Sequence, residues 1–596
     1  MSAPDQAEKI AALVRAGELL SAVDLARQPA TRRLAPDRLR RARIEEVTAL
    51  ARMGSLGEAR EAFAMYGLGE AAGVERSLRA RLEKDLGFEA EGEERRRRLE
   101  TARDIYLAEA RQAAPGGPSP DRTHFEWNGV NAVSLSRLIG DMGPVADIAA
   151  ALAAGAPGEG YWSLASRAEL LIAMGGPEAA AVGIAEHAAA AADATIGNRA
   201  TTIRQLNRLA PGHPAIDRLR PGPAVHYSGH MIAPRGARRG RVLWPHRAEL
   251  EARIHAALAA LAPSSLHGSL AAGADIVAVE WGLARGLETF IHLPFAAADF
   301  METSVRPAGA GWARRARACL RHPRARLRLL SAEPPLPGDD LAYGEVARVA
   351  MGSAILEAER DGAEAVQLLV WDGTPPSGPA GAAADGAAWK ATGRAQRVVD
   401  VADLGAPGPA GAPRPQRRVG RALVFGDVKN FSKLREAQLP IFVRTVMGAA
   451  RAAVEDAKAK FGAPAFLNTW GDGVFAAFPT ASGAAEFALS LQERMAALDL
   501  AGAGLPPDLA IRLGLHAGLV FPLKEPVTGA DNLFGEAVAR AARIEPITKA
   551  GRIFATEEFA ALLALDPASP ARTEYVGRVE TAKRYGAFRL HRLTRR

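Results

Sequence analysis

Cysteine is almost absent from this chain: Cys319 is the one example among 596 residues. A lone thiol excludes an internal disulfide framework and any cysteine-rich metal site, and it predicts a reducing compartment. Long apolar runs are missing too. No stretch approaches the roughly 18 uncharged apolar residues that a spanning helix needs, which argues against the membrane as a partner. The start, MSAPDQAEKIAAL, lacks a basic segment followed by an apolar core. It predicts no signal peptide and a cytoplasmic protein. The formal charge of +8 invites a nucleic-acid reading, yet the arginines are spread among many glutamates. The clusters Arg95–Arg98 and Arg235–Arg241 lack the interleaved aromatics of a nucleic-acid surface, which argues against that partner.

What is present is an ordinary globular balance, 48% hydrophobic and 24% charged, on a chain long enough for roughly three to five domains. The expected fold class is multidomain: an all-α array, an α/β Rossmann-like domain and an α+β domain. Residues 1–218 read as helical, with apolar residues at helical spacing (Ile10, Leu13, Val14; Leu19, Leu20, Val23). A Met-Gly pair follows an apolar helix end at 53–54, 142–143 and 174–175, and small residues follow each turn. The last two pairs lie 32 residues apart, near the ~34-residue period of tetratricopeptide repeats, which the segment resembles. An irregular helical bundle is the alternative. The stretch 114–127 reads as a loop that interrupts the array.

Proline and glycine at 221–223 mark a boundary, and residues 222–375 alternate short apolar runs with helices. That pattern implies a parallel sheet covered on both faces. Residues 376–419, rich in Pro, Gly and Ala, read as a flexible linker. The last segment, 420–596, mixes helices and mostly antiparallel strands.

Two segments there carry the chemistry. ALVFGDVKNFSKL (422–434) and FLNTWGDGVFAAF (466–478) each drive a strand-like run into a Gly-Asp pair. An aspartate at the end of a buried strand is poorly hydrated and needs a cation or a donor. Asp427 and Asp472 together could converge on hard divalent cations, which bind phosphate oxygens.

Segment 420–590 resembles the class III adenylate and guanylate cyclases. FGDVKNFSKL and LNTWGDGVFAAF match the two metal-aspartate motifs. IRLGLHAGLV, FGEAVARAARIEP and AKRYGAFRLHRL match the strand, helix and closing hairpin that follow, in order. The resemblance implies a ferredoxin-like cyclase fold and two Mg²⁺ or Mn²⁺ ions on Asp427 and Asp472, with the Val428 carbonyl as a further ligand. Backbone N–H groups of Lys429, Asn430 and Phe431 would bind phosphate. Arg543 would neutralise charge at the α-phosphate, and Lys583 would reach the nucleotide from the closing hairpin. The family builds each site from two subunits, which implies a homodimer through this domain. Asn468 and Asn532 (or its neighbour Asp531) fall at purine-reading positions. An amide donates and accepts, so it does not dictate the base. ATP is the first expectation over GTP, and thus cAMP over cGMP.

Ala539 departs from the family asparagine that orients the ribose, with Arg540 beside it as a possible substitute. Tyr585 replaces a lysine that some members use for the triphosphate. A cyclase homologue without catalysis, serving as a nucleotide-sensing scaffold, is the alternative. His516, inside an apolar strand, reads as packed rather than catalytic.

SLHGSLAAGADIVAVEWGLARG (265–286) resembles the nucleotide-binding loop of the SLOG superfamily. The resemblance implies a nucleotide-like ligand. Gly268, Ser269 and Gly273 would let a helix start approach an anion, with Asp275 on its first turn and Gly229 and His230 at the same sheet edge. A tight strand–helix turn without ligand is the alternative. The helical array implies an unidentified protein partner.

Overall fold

The computed structural model describes residues 5–69, 73–156, 158–406, 417–581 and 586–596. The chain divides into two compact units. One comprises Met1–Pro221 with Arg360–Ala363 and Glu574–Arg578; the other is the remainder.

The first unit is helical. Pro36–Met53 and Tyr161–Met174 end on Gly54 and Gly175 in the left-handed conformation, so two Met-Gly pairs are helix ends as the sequence suggests. The third is not: Arg122–Ile139 is capped by Gly140, and Met142-Gly143 opens a short 3₁₀ turn. The expected interruption is also shorter than 114–127, because Asp121 caps a helix beginning at Arg122 by accepting from the His124 N–H at 2.9 Å. Among the described residues, the apolar core of this unit falls into separate clusters around Leu50, Tyr106 and Tyr161.

The second unit holds two sheets, apart from residues 574–578 of one edge strand, which belong to the first unit. The first has six parallel strands: β1 (Ala224–Gly229), β2 (Ser265–Gly268), β3 (Glu288–Leu293), β4 (Ala325–Leu329), β5 (Ala365–Trp371) and β6 (Gln396–Asp400). Their order is β4-β3-β2-β1-β5-β6, so the chain's progress across the sheet reverses between β1 and β5, which are themselves parallel. The central strands read as continuous apolar runs because helices bury both faces, as in AVQLLVW of β5.

This sheet corrects the linker expectation for 376–419. Helix Ala382–Ala391 and strand β6 occupy much of that span. β6 pairs in parallel with β5, and Trp389 is wholly buried. The remainder of the span includes residues 407–416, which lie outside the described ones.

The second sheet contains β7 (Val419–Lys429), β8 (Phe466–Trp470), β9 (Gly473–Phe478), β10 (Ala510–Lys524), β11 (Asp531–Phe534), β12 (Ile553–Thr556), β13 (Ala571–Glu580) and β14 (Ala587–Arg595). Their order is β13-β14-β12-β10-β7-β9-β8, and β11 pairs with β10. The central four strands run β10-β7-β9-β8 with every neighbour antiparallel. Helix Gly448–Phe461 lies between β7 and β8 in sequence, and Ala481–Ala496 lies between β9 and β10. This is the β-α-β-β-α-β arrangement of ferredoxin-like sheets.

The two helices cover one face through Val424, Ala476, Phe478, Phe487 and Leu513. Helix Glu536–Ile544 covers the other through Ala537 and Ala541, against Leu423, Phe475 and Val520. Among the described residues, no helix is long and apolar enough to cross a membrane.

Candidate active site

Strand β7 delivers Asp427, and the β8–β9 hairpin delivers Asp472. The hairpin closes through Trp470 opposite Gly473, which leaves Gly471-Asp472 as the two turn residues. Gly471 takes φ +63°, a left-handed value that favours glycine. A Cβ at Gly471 would lie 3.8 Å from the Phe431 ring, so the turn sits beside the segment that follows β7. Phe431 in turn packs on Phe442, with ring centroids 4.9 Å apart.

The two aspartates meet. Their carboxyl groups lie within hydrogen-bonding reach, beside the backbone of Val428. Burial, then the neighbouring Asp427, push the Asp472 carboxyl up to about 6. Two like charges on a half-buried site repel unless a proton or a cation lies between them.

The sequence did not reveal a third and fourth charge. β10 runs antiparallel to β7 with Arg512 opposite Asp427. Arg512 Nη2 donates to Asp427 Oδ2 at 2.6 Å, and the same guanidinium ion-pairs with Glu545. Burial raises the Glu545 carboxyl while Arg512 opposes that rise, and the charges of Asp427 and Asp472 add to it. Arg512 stands inside the quoted strand IRLGLHAGLV, but only the cross-strand register puts it beside an aspartate.

The remaining expected residues are placed as follows. Lys429 is exposed. Asn430 adopts φ +70°, and its side-chain amide donates to Asp508 Oδ2 at 2.7 Å. Arg543 lies on the last turn of its helix, with Nε buried and unpartnered. Among the described residues, no ion pair joins Arg543 to either aspartate. Asn468 is exposed on the edge strand β8, and its Oδ1 accepts from the Thr469 N–H. Asn532 stands on β11, where its Oδ1 accepts from the Leu533 N–H. Asp531 is paired with Lys524 at 3.0 Å. Lys583 and Tyr585 lie outside the described residues.

Two neighbours are settled by geometry. His516 is buried, bonded to Thr556 Oγ1 at 2.8 Å and held well below the usual imidazole range by burial. It is a packed histidine. Arg540 does not substitute for the missing asparagine. It donates to Glu536 Oε1 at 2.6 Å and to the Leu330 carbonyl at 2.9 Å, away from the aspartate pair.

In the parallel sheet, Gly229 ends β1 and Gly268 ends β2, and the hydroxyl of Tyr227, on β1, donates to the Ser269 carbonyl at 2.7 Å. Gly273 precedes helix Ala274–Ala284 at φ +124°. A Cβ there would lie 2.6 Å from the Ile232 nitrogen, so segment 230–232 closes on the helix start. The Ala274 N–H donates to the His230 carbonyl at 3.2 Å, a cap supplied by the chain itself. The His230 ring faces Asp372 at 3.0 Å, and Arg241 reaches the same carboxylate at 2.7 Å. Asp275 is buried, accepts from the Ala271 N–H at 3.1 Å, and burial pushes its carboxyl up to about 7.

Asp427 and Asp472 offer hard oxygen donors crowded enough to repel, a donor set that fits Mg²⁺ or Mn²⁺. Among the described residues, no group of three or more His, Cys, Asp or Glu is arranged to hold a metal ion by itself. Further ligands would have to be a backbone carbonyl and phosphate oxygens.

No family model and no curated protein matches the chain. Several solved structures are similar over part of it. The catalytic core of a rhodopsin-guanylyl cyclase with converted specificity, in complex with ATPαS, is 20% identical. That match covers 30% of this chain and 98% of the other, with a TM-score of 0.25. The adenylyl cyclase CyaB from P. aeruginosa is 16% identical over 30% of this chain and 95% of its own, with a TM-score of 0.27. The guanylate cyclase domain of RhGC from Catenaria anguillulae, in complex with GTP, is 20% identical over 30% and 97%, with a TM-score of 0.25. At such scores the functional reading rests on the residues themselves.

Proposed function

We propose that this chain is a nucleotidyl cyclase that converts a purine nucleoside triphosphate to its 3′,5′-cyclic monophosphate and pyrophosphate. The observation that carries the reading is the meeting of Asp427 and Asp472 at the ends of β7 and the β8–β9 hairpin. Asp427, Asp472 and the Val428 carbonyl would hold two divalent cations. Bound Mg²⁺ or Mn²⁺ supplies a lowered hydroxyl pKa and neutralises phosphate charge.

The chain's own groups do the rest. Lys429, Asn430 and Phe431 follow the metal strand, and their N–H groups bind phosphate oxygens. Arg543, with a buried and unsatisfied Nε, stabilises charge on the α-phosphate from the second protomer of a homodimer. Asn468 and Asn532 face the purine, with ATP preferred over GTP. Lys583 contacts the nucleotide.

The domain roles are part of the same proposal. Residues 1–218 form a tetratricopeptide-like array that docks a protein partner. The parallel-sheet domain, 222–375 extended through β6, is SLOG-like and senses a nucleotide-like ligand at Gly229, His230, Gly268, Ser269, Gly273 and Asp275. The cyclase domain is 420–596, and the protein acts in the cytoplasm.

Two observations favour the alternative of a nucleotide-sensing scaffold without turnover. Arg512 already neutralises Asp427, and Ala539 supplies no polar group. The two readings separate when purified protein is incubated with Mn²⁺ and ATP or GTP. Formation of cyclic nucleotide above the level of Asp427→Ala supports the cyclase. Nucleotide binding with no product above that control supports the scaffold.

A further inference from the structure

The helical unit holds a cavity of about 240 Å³ between helices Arg122–Ile139, Ala146–Ala154 and Tyr161–Met174. Residues 122, 125, 126 and 130 of the first helix and 163, 166, 167 and 170 of the third line it. Those three- and four-residue steps are one face of each helix. The floor is apolar, made by Phe125, Val130, Leu152 and Leu170. Every lining residue belongs to the first unit, so the cavity is separate from the aspartate pair.

Two arginines stand on the wall, and both reach solvent. Arg167 Nη1 donates to the Leu152 carbonyl at 2.8 Å and Nη2 to the Ala153 carbonyl at 3.0 Å, at the C-terminal end of helix Ala146–Ala154. Those carbonyls fix the guanidinium in place, and each Nη keeps a second N–H. Among the described residues, no carboxylate pairs with Arg167. The Arg122 side chain is 61% exposed. Its Nε donates to Glu126 Oε1 at 2.8 Å and its Nη2 to the Ala156 carbonyl, which leaves Nη1 for a ligand. Glu126 is the carboxylate on the wall, and its other oxygen accepts from the Ser163 hydroxyl at 2.8 Å. Two arginines against one glutamate leave a net positive charge on the wall of an apolar cavity. An apolar cavity of about 150 Å³ holds benzene, so this one has room for a ring with a short arm.

We infer that this cavity binds a small free monocarboxylic acid. Its apolar body rests on Phe125, Val130, Leu152 and Leu170, and its carboxylate accepts from Arg122 and Arg167. A second charge on the ligand would meet the apolar floor unpaired, which selects a monoanion. The site stands whether or not the chain cyclises a nucleotide.

The test uses the full chain and four probes followed by saturation-transfer NMR and titration: 3-phenylpropionate, 3-phenylpropionamide, acetate and a tripeptide ending in phenylalanine. Phenylpropionate is expected to bind. The amide keeps the apolar body and loses the charge, so it should bind roughly fivefold or more weakly, a gap that added salt narrows. Acetate keeps the charge and lacks the body, and should give no saturation. Ser166 is partly exposed on the wall and provides a plug. Ser166→Trp should weaken phenylpropionate at least about tenfold while the melting temperature stays near wild type. Should that variant misfold, Arg122→Gln changes a side chain that lies mostly in solvent. The preference for acid over amide should then shrink roughly twofold or more while the amide's affinity holds. No phenylpropionate signal with wild-type protein, amide binding as tight as the acid, equal binding by a folded Ser166→Trp variant, or equal losses for acid and amide in Arg122→Gln overturns the inference. Tighter binding by the tripeptide than by the free acid would assign the site to a chain terminus and overturns it as well.

Discussion

The carboxyl groups of Asp427 and Asp472, carried by β7 and by the β8–β9 turn, lie within hydrogen-bonding reach of each other. Without a cation their mutual repulsion is a cost that the rest of the fold must offset.

That cost predicts a gain from removing one charge. The Asp472 carboxyl is raised from 3.8 to about 6. A carboxyl raised in the folded state contributes stability that is present below its unfolded value and lost as pH rises through its folded value. Metal-free Asp472→Asn should therefore melt a few degrees higher than wild type at pH 8 and at the same temperature near pH 4. Mn²⁺ should stabilise wild type at pH 8 and leave the variant unchanged. Differential scanning calorimetry at the two pH values reads all of this, and a variant less stable than wild type at pH 8 contradicts it.

Arg512 competes with any cation for Asp427. Arg512→Gln removes the competitor and leaves Asp427, Asp472 and Glu545 as three uncompensated acids. Its Mn²⁺ half-saturation concentration should fall several-fold. Its metal-free stability should drop by about 1 kcal/mol, modest because the pair is partly solvated. Weaker Mn²⁺ binding would show that Arg512 supports the metal site instead of opposing it.

Ala539 precedes Arg540 in a helix where Arg540 points to Leu330. Ala539→Asn restores an amide at the family's ribose-orienting position and is expected to raise turnover by up to ~10²-fold with little change in KM. Steady-state kinetics checks this; an unchanged or lower rate means another group serves there.

Asp275 predicts a pH dependence in the parallel-sheet domain. Burial raises its carboxyl from 3.8 to about 7. The neutral form suits the fold, so stability should decline as pH climbs from about 4 through 7, on the order of 4 kcal/mol from this group alone. Asp275→Asn should flatten that decline in denaturant titrations between pH 5 and 8. A slope equal to wild type contradicts the assignment.

The legible and illegible parts of the sequence divide along physical lines. Gly-Asp after an apolar run announces a carboxylate near a strand end; Asp427 stands two residues before the end of β7, and Asp472 in the turn after β8. Arg512 depends on register between distant strands, and Glu545 on where the helix after β11 ends, neither of which local patterning encodes. Arg540 shows the helical version of the same limit. One residue along a helix turns the side chain by about 100°, so a neighbour in sequence faces elsewhere. The Pro/Gly/Ala-rich span misled for a different reason. Alanines flanked by glycine and proline have a linker's composition, yet Ala382–Ala391 forms a helix that places Trp389 in the core, stacked on His226 at 5.7 Å. A single large apolar residue outweighed the average.

The most direct test of the central claim is a time course of cyclic nucleotide and pyrophosphate from ATP and GTP in Mn²⁺, by wild type, Asp427→Ala and Asp472→Asn. Equimolar appearance of the two products with wild type, and neither product with the variants, is the predicted result. Product formation that survives loss of either carboxylate, or none from wild type with both nucleotides, would contradict it.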